Sequence, residues 1–331
     1  MKVILRADAG PHRGTGHVMR CLTLAEALRS AGHEVTLMGE IEGVDWLEQY
    51  LEAIGIARIP CERDAVPVKH LISLGADRLV VDSYWIDPDD IATANASIPT
   101  MAIVDNTARG IRAEWLLDHN FGAEELDWPA GSGRILAGSQ YALVREAVTR
   151  HRIESGWVIP ARDSRVVAFM GGTDPGGIMT SVAASIAATL PHLRFTAVTT
   201  PDQVARVATT VAAMPNAIVL GPTPDLPKLL AAADAVVSAA GTSAWDVCSM
   251  GRPVVLVGVV GNQSAALARA LSRGLATGID ATLQSTNSVG ALLADLLDNA
   301  PLRESLVRRA NETFDGLGSR RVAAALTSKV R

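Results

Sequence analysis

The sequence predicts an α/β fold with two doubly wound parallel sheets, one in each half of the chain. Apolar runs at 2–6 and 34–38 flank a helical pattern that stops at Gly32, and this order indicates a parallel βαβ unit. The length of 331 residues suits two domains of about 150 residues better than one core. With 48% hydrophobic and 20% charged residues, the composition is typical of a globular protein of helices and strands.

The alternation of short apolar runs and helical patterns continues through both halves. Runs of this length, bounded by turn residues, are typical of buried strands. The predicted strands are 2–6, 34–38, 78–83 and 100–105 in the first half, and 165–170, 194–200, 217–220, 235–240 and 253–260 in the second. The predicted helices of the second half are 177–190, 202–213, 225–233 and 242–250.

A polar stretch at 148–164 separates the two patterns. We therefore expect an N-terminal Rossmann-like domain over 1–150 and a C-terminal Rossmann-like domain over 163–331. Ligands of such sheets bind outside the carboxyl ends of the strands, so the two halves are expected to face each other across a ligand-binding cleft.

Charge and cysteine content exclude several function classes. A formal net charge of −5 supplies no broad positive field, so we expect no nucleic-acid partner. The three cysteines form no CxxC pair, which favours a reducing compartment. The apolar start of the chain is too short for a signal peptide or a membrane span, so a cytoplasmic protein without a membrane partner is expected, as a monomer or a weak homo-oligomer.

The first loop, at 8–17, is rich in glycine and fits neither of two familiar phosphate motifs. Gly16 precedes His17 where a Walker A motif needs lysine, and Met19 stands where the dinucleotide fingerprint needs glycine or alanine. Gly14 and Gly16 instead predict a turn that lets backbone approach a ligand. A histidine in the first turn of a helix is biased towards its neutral form, so His17 is a candidate general base; a structural histidine is the alternative.

Polar residues also follow two later strands of the first half. Asp82 and Tyr84 follow the strand at 78–83, and Asp105 follows the next one. These side chains are expected at the same sheet edge as His17, where Asp82 would orient the imidazole and Tyr84 would donate to a substrate. The alternative is that Asp82 only caps the next helix.

Polar, glycine-containing loops follow three strands of the second half. Backbone amides and hydroxyls ahead of a helix form an anion site, a carboxylate one turn later can accept a ribose, and neutral amides suit a sugar or a uracil edge. Tight turns and helix caps are the alternatives. The candidates are Gly172, Thr173 and Asp174, then Gly241, Thr242, Ser243 and Asp246, and finally Asn262 and Gln263.

Five segments together resemble a known family. In chain order they are RADAGPHRGTGHVMRCLTLAEAL, VVDSYW, GSQYALVREA, FMGGTDPGG and SMGRPVVLVGVVGNQ. They are similar to the UDP-sugar hydrolases of pseudaminic acid biosynthesis, which are relatives of the two-domain GT-B glycosyltransferases. The resemblance extends from residue 1 to about residue 275, and its most specific motif is GxGHxxR, present as Gly14, Gly16, His17 and Arg20.

The resemblance implies hydrolysis of UDP-2,4-diacetamido-2,4,6-trideoxy-β-L-altropyranose to free sugar and UDP, with inversion and without a metal or another cofactor. His17 would activate water, Tyr84 would support it, and the second domain would hold UDP through the candidates named above. Two positions depart from the family pattern. Ser83 stands where the family has histidine, and this difference concerns the identity of the sugar. Asp246 stands where the family has glutamate, and this difference concerns the geometry of ribose binding.

Two other functions fit the same residues. A glycosyltransferase of the same fold would replace the water by an acceptor hydroxyl. A nucleotide-sugar binding protein without activity would not need His17 as a base.

Overall fold

A computed structural model describes residues 1–152 and 164–328 of the chain. They form two compact α/β units, one of Met1–Glu146 with Gly316–Arg331 and one of Ala147–Asp315. The expected domain boundary at 148–164 lies mostly outside the described residues. The predicted fold class is confirmed, because each unit contains a doubly wound parallel sheet.

The first unit contains a seven-stranded parallel sheet in its described residues, with strand order 3-2-1-4-5-6-7. The order reverses between the first and the fourth strand, and such a switch point is where open α/β sheets bind ligands. The strands are β1 (Lys2–Ala7), β2 (Glu34–Met38), β3 (Ala57–Ile59), β4 (Arg78–Asp82), β5 (Thr100–Ile103), β6 (Trp115–Asp118) and β7 (Arg134–Ala137). The helices are α1 (Gly16–Ser30), α2 (Asp45–Ile54), α3 (Val68–Ser73), α4 (Pro88–Asn95) and, at the junction of the units, α5 (Glu146–Thr149).

Alternation along β1 divides the core of this unit into two layers. Val3 and Leu5 pack in one cluster with Leu22 of α1, while Ile4 packs in the other with Ile91 of α4. Successive side chains of a strand point to opposite faces, so a strand covered on both sides is apolar throughout. That is why β1 shows no polar alternation in the sequence.

The second unit contains a six-stranded parallel sheet in its described residues, with strand order 10-9-8-11-12-13. Its switch point lies between the eighth and the eleventh strand. The strands are β8 (Arg165–Phe169), β9 (Arg194–Val198), β10 (Ala217–Leu220), β11 (Ala235–Ala239), β12 (Val254–Gly258) and β13 (Thr277–Asp280). The helices are α6 (Ile178–Thr189), α7 (Val204–Thr210), α8 (Leu226–Ala232), α9 (Thr242–Ser249), α10 (Ser264–Ser272), α11 (Val289–Asp298) and α12 (Ala300–Thr313).

The last helix, α13 (Gly318–Thr327), packs with the first unit. The Ser319 hydroxyl donates to the Val144 carbonyl over 3.0 Å and accepts from the Val144 N–H over 3.1 Å. Nε of Arg78 donates to the Leu326 carbonyl over 2.9 Å. The boundary expected from the sequence would place α13 in the C-terminal domain. In the structure these hydrogen bonds join it to the first unit, whose residues are distant in the sequence.

Each predicted strand corresponds to an observed one. The strands without a prediction, β3, β6, β7 and β13, have only three or four residues each. Such short runs give little periodic signal. No helix in the described ranges combines the length and the apolar character needed to cross a membrane.

Candidate functional site

The loop after β1 leads to His17 at the switch point of the first sheet. A tight turn runs from Gly10 to Gly14, whose N–H donates to the Gly10 carbonyl over 2.8 Å. Gly14 has a φ of +75°, a left-handed conformation that glycine adopts without a steric penalty. Gly16 is exposed and begins α1, so His17 lies in the first turn of that helix, with a buried side chain.

His17 is hydrogen-bonded to Asp82, the last residue of β4. Nδ1 of His17 lies 2.6 Å from Oδ1 of Asp82. Arg20 donates to the same carboxylate from Nε over 2.8 Å and from Nη2 over 2.7 Å. Because an ionised carboxylate only accepts hydrogen bonds, we assign the ring proton to Nδ1. Nε2 of His17 is then the nitrogen that can accept a proton.

The charge of Arg20 keeps Asp82 ionised. Burial alone would raise the pKa of Asp82, but the charges and hydrogen bonds of Arg20 and His17 lower it below its usual value. Nη2 of Arg20 also lies 3.1 Å from Nδ1 of His17, but its contact with the carboxylate is shorter and is between opposite charges. A positive charge formed on His17 would therefore face a fixed negative charge.

Arg20 also binds a second carboxylate, that of Asp105. Nη1 of Arg20 donates to Oδ1 of Asp105 over 2.7 Å, and the Tyr84 hydroxyl donates to Oδ2 through a short hydrogen bond. Burial opposes ionisation of Asp105, yet the charge of Arg20 holds the pKa of Asp105 below its usual range. Burial, and then the charge of Asp105, raises the pKa of Tyr84, so its phenol stays neutral. The structure thus joins His17, Asp82, Arg20, Asp105 and Tyr84 in one network.

The side chain of Tyr84 packs against the imidazole. The rings of Tyr84 and His17 meet edge to face with centroids 4.7 Å apart. Arg109 fixes the backbone at this point, because its guanidinium donates to the carbonyls of Ser83 and Tyr84 over 2.6 and 2.7 Å. Arg109 itself has a φ of +49°, which costs a non-glycine residue conformational energy.

Ser83 does not lie open to a ligand. Its hydroxyl accepts from the N–H groups of Trp85 and Ile86 over 3.0 and 3.3 Å, and the residue is buried. Serine at this position therefore shapes the turn after β4.

Sequence reasoning missed three polar residues at the end of β6. Oδ1 of Asp118 accepts from Nδ2 of Asn120 over 2.8 Å, and the same amide nitrogen donates to Asp105 over 2.7 Å. Burial, and then the charge of Asp105, raises the pKa of Asp118 to about 6. Burial, and then the charge of Arg20, lowers the pKa of His119 to about 4, so that imidazole is neutral. The signal was present in WLLDHN, an apolar run followed by an aspartate, as at Asp82.

In the second unit, the loop after β8 ends in a capped helix. Asp174 is buried with a φ of +41°, and its Oδ1 accepts from the Met179 N–H of α6 over 3.2 Å. Burial raises the pKa of Asp174. The carboxylate of Asp174 thus accepts a hydrogen bond from the first turn of α6. Gly172 and Thr173 are partly exposed in the same loop. This loop follows β8 at the switch point of the second sheet.

The loop after β11 lies on the other side of that switch point and adjoins Gln263. A Cβ at position 241 would lie 3.1 Å from Nε2 of Gln263, so Gly241 permits a close approach. Oε1 of Gln263 accepts from the Val259 N–H over 2.9 Å. Thr242 and Ser243 form the first turn of α9 and are partly exposed. Asp246 is buried in the same helix, and Asn262 is exposed.

Within residues 1–152 and 164–328, no group of three or more His, Cys, Asp or Glu side chains is arranged to hold a metal ion.

Comparison with known proteins shows that the chain is similar in fold to several solved structures. No protein-family model and no curated protein matches the sequence. MurG of Acinetobacter baumannii superposes with a TM-score of 0.67 at 15% identity, over 98% of this chain and 99% of that chain. The UDP-GlcNAc 2-epimerase of Neisseria meningitidis bound to UDP-GlcNAc superposes with a TM-score of 0.67 at 14% identity, over 98% of this chain and 99% of that chain. Spinosyn forosaminyltransferase SpnP superposes with a TM-score of 0.66 at 14% identity, over 99% of this chain and 100% of that chain.

The chain has the two-domain GT-B fold. The two-domain fold implied by the sequence resemblance is thereby confirmed, whereas identities this low do not reach a family. In this GT-B chain, the candidate residues of each unit lie at the carboxyl ends of its strands, either at a strand end, in the loop that follows, or in the first two turns of the next helix. Their roles towards a ligand stay predictions.

Proposed function

We propose that the chain hydrolyses a UDP-linked amino-deoxy sugar to free sugar and UDP, with His17 as the general base. The main observation is the contact of 2.6 Å between Nδ1 of His17 and Asp82, since it leaves Nε2 as a proton acceptor. Support for the ligand class comes from the fold, because a solved structure that shares it holds UDP-GlcNAc.

The chemical step needs one water and no electron acceptor. Nε2 of His17 takes a proton from the water while its oxygen attacks the anomeric carbon. The bond between that carbon and the β-phosphate oxygen breaks, and UDP leaves with the electron pair. Attack from the side opposite the leaving group inverts the anomeric configuration. Asp82 stabilises the imidazolium that forms, as the acidic partner does in other histidine-based sites.

Stabilisation of the departing UDP is assigned to the second unit. Backbone N–H groups at the start of α9 and in the loop after β8 are donors suited to a diphosphate. Asp246 is assigned to the ribose hydroxyls, and Asn262 and Gln263 to the uracil or the sugar. Asp174 is assigned a supporting role, since its carboxylate already caps α6.

The finer form of the proposal takes its substrate from the sequence resemblance. It names UDP-2,4-diacetamido-2,4,6-trideoxy-β-L-altropyranose, and the GxGHxxR motif at Gly14, Gly16, His17 and Arg20 supports it. In the structure Arg20 binds Asp82 and Asp105, so we propose that it orients these carboxylates.

A glycosyltransferase is the second candidate function. The fold comparison favours it equally, because Spinosyn forosaminyltransferase SpnP shares the fold. The pair of His17 and Asp82 would then deprotonate an acceptor hydroxyl in place of water.

The test measures UDP release and free sugar from UDP-linked 2,4-diacetamido sugars in the absence of any acceptor. Hydrolysis predicts equal amounts of both products, and NMR of the fresh sugar should show inversion. Replacement of His17 by alanine should lower turnover by about 10²-fold or more, with little change in binding. His12→Ala is the matched control, because His12 is an exposed histidine of the same loop.

Each alternative predicts a different result. A transferase would release little UDP or free sugar without an acceptor, and with an acceptor it would give UDP and the glycosylated acceptor. A binding protein without activity would bind the nucleotide sugar and show no turnover with or without His17. Wild-type turnover in His17→Ala would contradict the role of the base.

A further inference from the structure

Trp85 exposes its indole beside the His17 network. It follows Tyr84 in the loop after β4, and 45% of the residue is exposed. Among the exposed large apolar side chains in the described part of the chain, it is the only aromatic one. Pockets for small molecules combine aromatic side chains with a few polar groups, so an indole beside the His17 network is a candidate ligand contact.

The indole is held in place by its neighbours. The guanidinium of Arg13 lies over the ring, 4.1 Å from its centroid, and is itself fixed by two hydrogen bonds to Asp64 of 2.6 and 2.7 Å. The Trp85 N–H donates to the Ser83 hydroxyl over 3.0 Å. A ring fixed in this way loses little conformational freedom when a ligand binds, so its apolar surface contributes to affinity at low entropic cost.

The distance to His17 identifies the part of a ligand that this ring would meet. The ring centroids of Trp85 and His17 are 5.9 Å apart, and the two rings meet edge to face. If His17 activates the attacking water, the anomeric carbon lies near Nε2, and the sugar ring is the group within reach of the indole. One face of a pyranose presents C–H groups, which pack favourably on the electron-rich face of an aromatic ring.

We propose that Trp85 is a stacking surface for the sugar ring of the nucleotide sugar and determines which sugars are accepted. This inference rests on the proposed function for its ligand, but it concerns sugar binding and not the chemical step. Arg13 covers one face of the indole, so the sugar packs on the remaining exposed surface. Because uridine and diphosphate are assigned to residues of the second unit, the proposal gives Trp85 a part in binding the sugar alone.

The test compares the affinities of two probes by calorimetry. One is UDP, and the other is the phosphonate analogue of the proposed UDP-linked 2,4-diacetamido sugar, in which a CH₂ group replaces the glycosidic oxygen so that hydrolysis cannot consume it. Trp85→Ala should weaken binding of the analogue about tenfold and leave UDP binding unchanged. Trp85→Phe should retain most of the affinity, because it keeps an aromatic face. Ile72→Ala, which removes another exposed apolar side chain of the first unit, should change neither affinity.

Two results would overturn the inference. One is equal loss of both affinities in Trp85→Ala, and the other is no loss at all. A wild-type protein that binds the analogue through Trp85 but hydrolyses no UDP-sugar would contradict the proposed hydrolysis alone. Failure to bind either probe would contradict both proposals.

Discussion

Replacement of Asp82 by asparagine tests the organisation of the site most directly. Three donors converge on this carboxylate: Nδ1 of His17 at 2.6 Å, and Nε and Nη2 of Arg20 at 2.8 and 2.7 Å. Oδ1 of Asp82 accepts from His17 and from Nη2 of Arg20, whereas Oδ2 accepts from Nε of Arg20. An asparagine amide has one accepting oxygen, so its NH₂ group must take one of these two places. In the Oδ2 place it leaves Nε of Arg20 without its acceptor; in the Oδ1 place it does the same to Nη2 and forces the imidazole into the other tautomer.

The expected effects on activity and on stability differ in origin. In either orientation the negative charge that stabilises the imidazolium is lost, so turnover should fall by about 10²- to 10⁴-fold. The free energy of unfolding should fall by about 3 kcal/mol, the low end of the range for breaking a buried ion pair, since Arg20 retains Asp105.

The assays are UDP release for turnover and urea denaturation for stability, on Asp82→Asn, His17→Ala and the double variant. If Asp82 acts through His17, adding Asp82→Asn to His17→Ala should lower turnover little further, while its stability cost remains. A double variant whose turnover falls by the product of the two single factors would refute the reasoning, as would wild-type turnover in Asp82→Asn.

Two further predictions concern the supporting residues. Because the pKa of Asp118 is raised from 3.8 to about 6 in the folded state, its folded form binds more protons than its unfolded form between those pH values. The unfolding free energy of the wild type relative to Asp118→Asn should therefore fall by about 2 kcal/mol as pH rises from 4 to 7, measured by urea denaturation, and a constant difference would contradict the pKa shift. Arg109→Ala should lower the free energy of unfolding by about 2 kcal/mol, because two carbonyls lose a charged donor. Arg109→Gly should cost about 1 kcal/mol less than alanine, since glycine tolerates the φ of +49°; equal costs would show that the backbone there is not strained.

Much of the fold could be predicted from the sequence, because strand and helix patterns and turn residues are local. The apolar runs that became β1 and β11 were placed to within a residue, and Gly32 marks the end of α1 with a φ of +84°. Four strands of three or four residues, β3, β6, β7 and β13, were not predicted, since so short a run shows little alternation. The equally short β5 and β10 were predicted because each lies in an apolar run.

For the site too, features set by neighbouring residues could be predicted, and pairings between distant residues could not. The sequence by itself determined that a glycine turn delivers His17 to the start of a helix, because turn and helix-start signals lie within a few residues of each other. It also placed Asp82 and Asp105 at strand ends. Only the tertiary structure decided that Arg20 binds both carboxylates, from 62 and 85 positions away, and that Asn120 joins the same network. Pairings over such separations depend on strand order and register, which bring loops together at one sheet edge and are set by the packing of the whole unit.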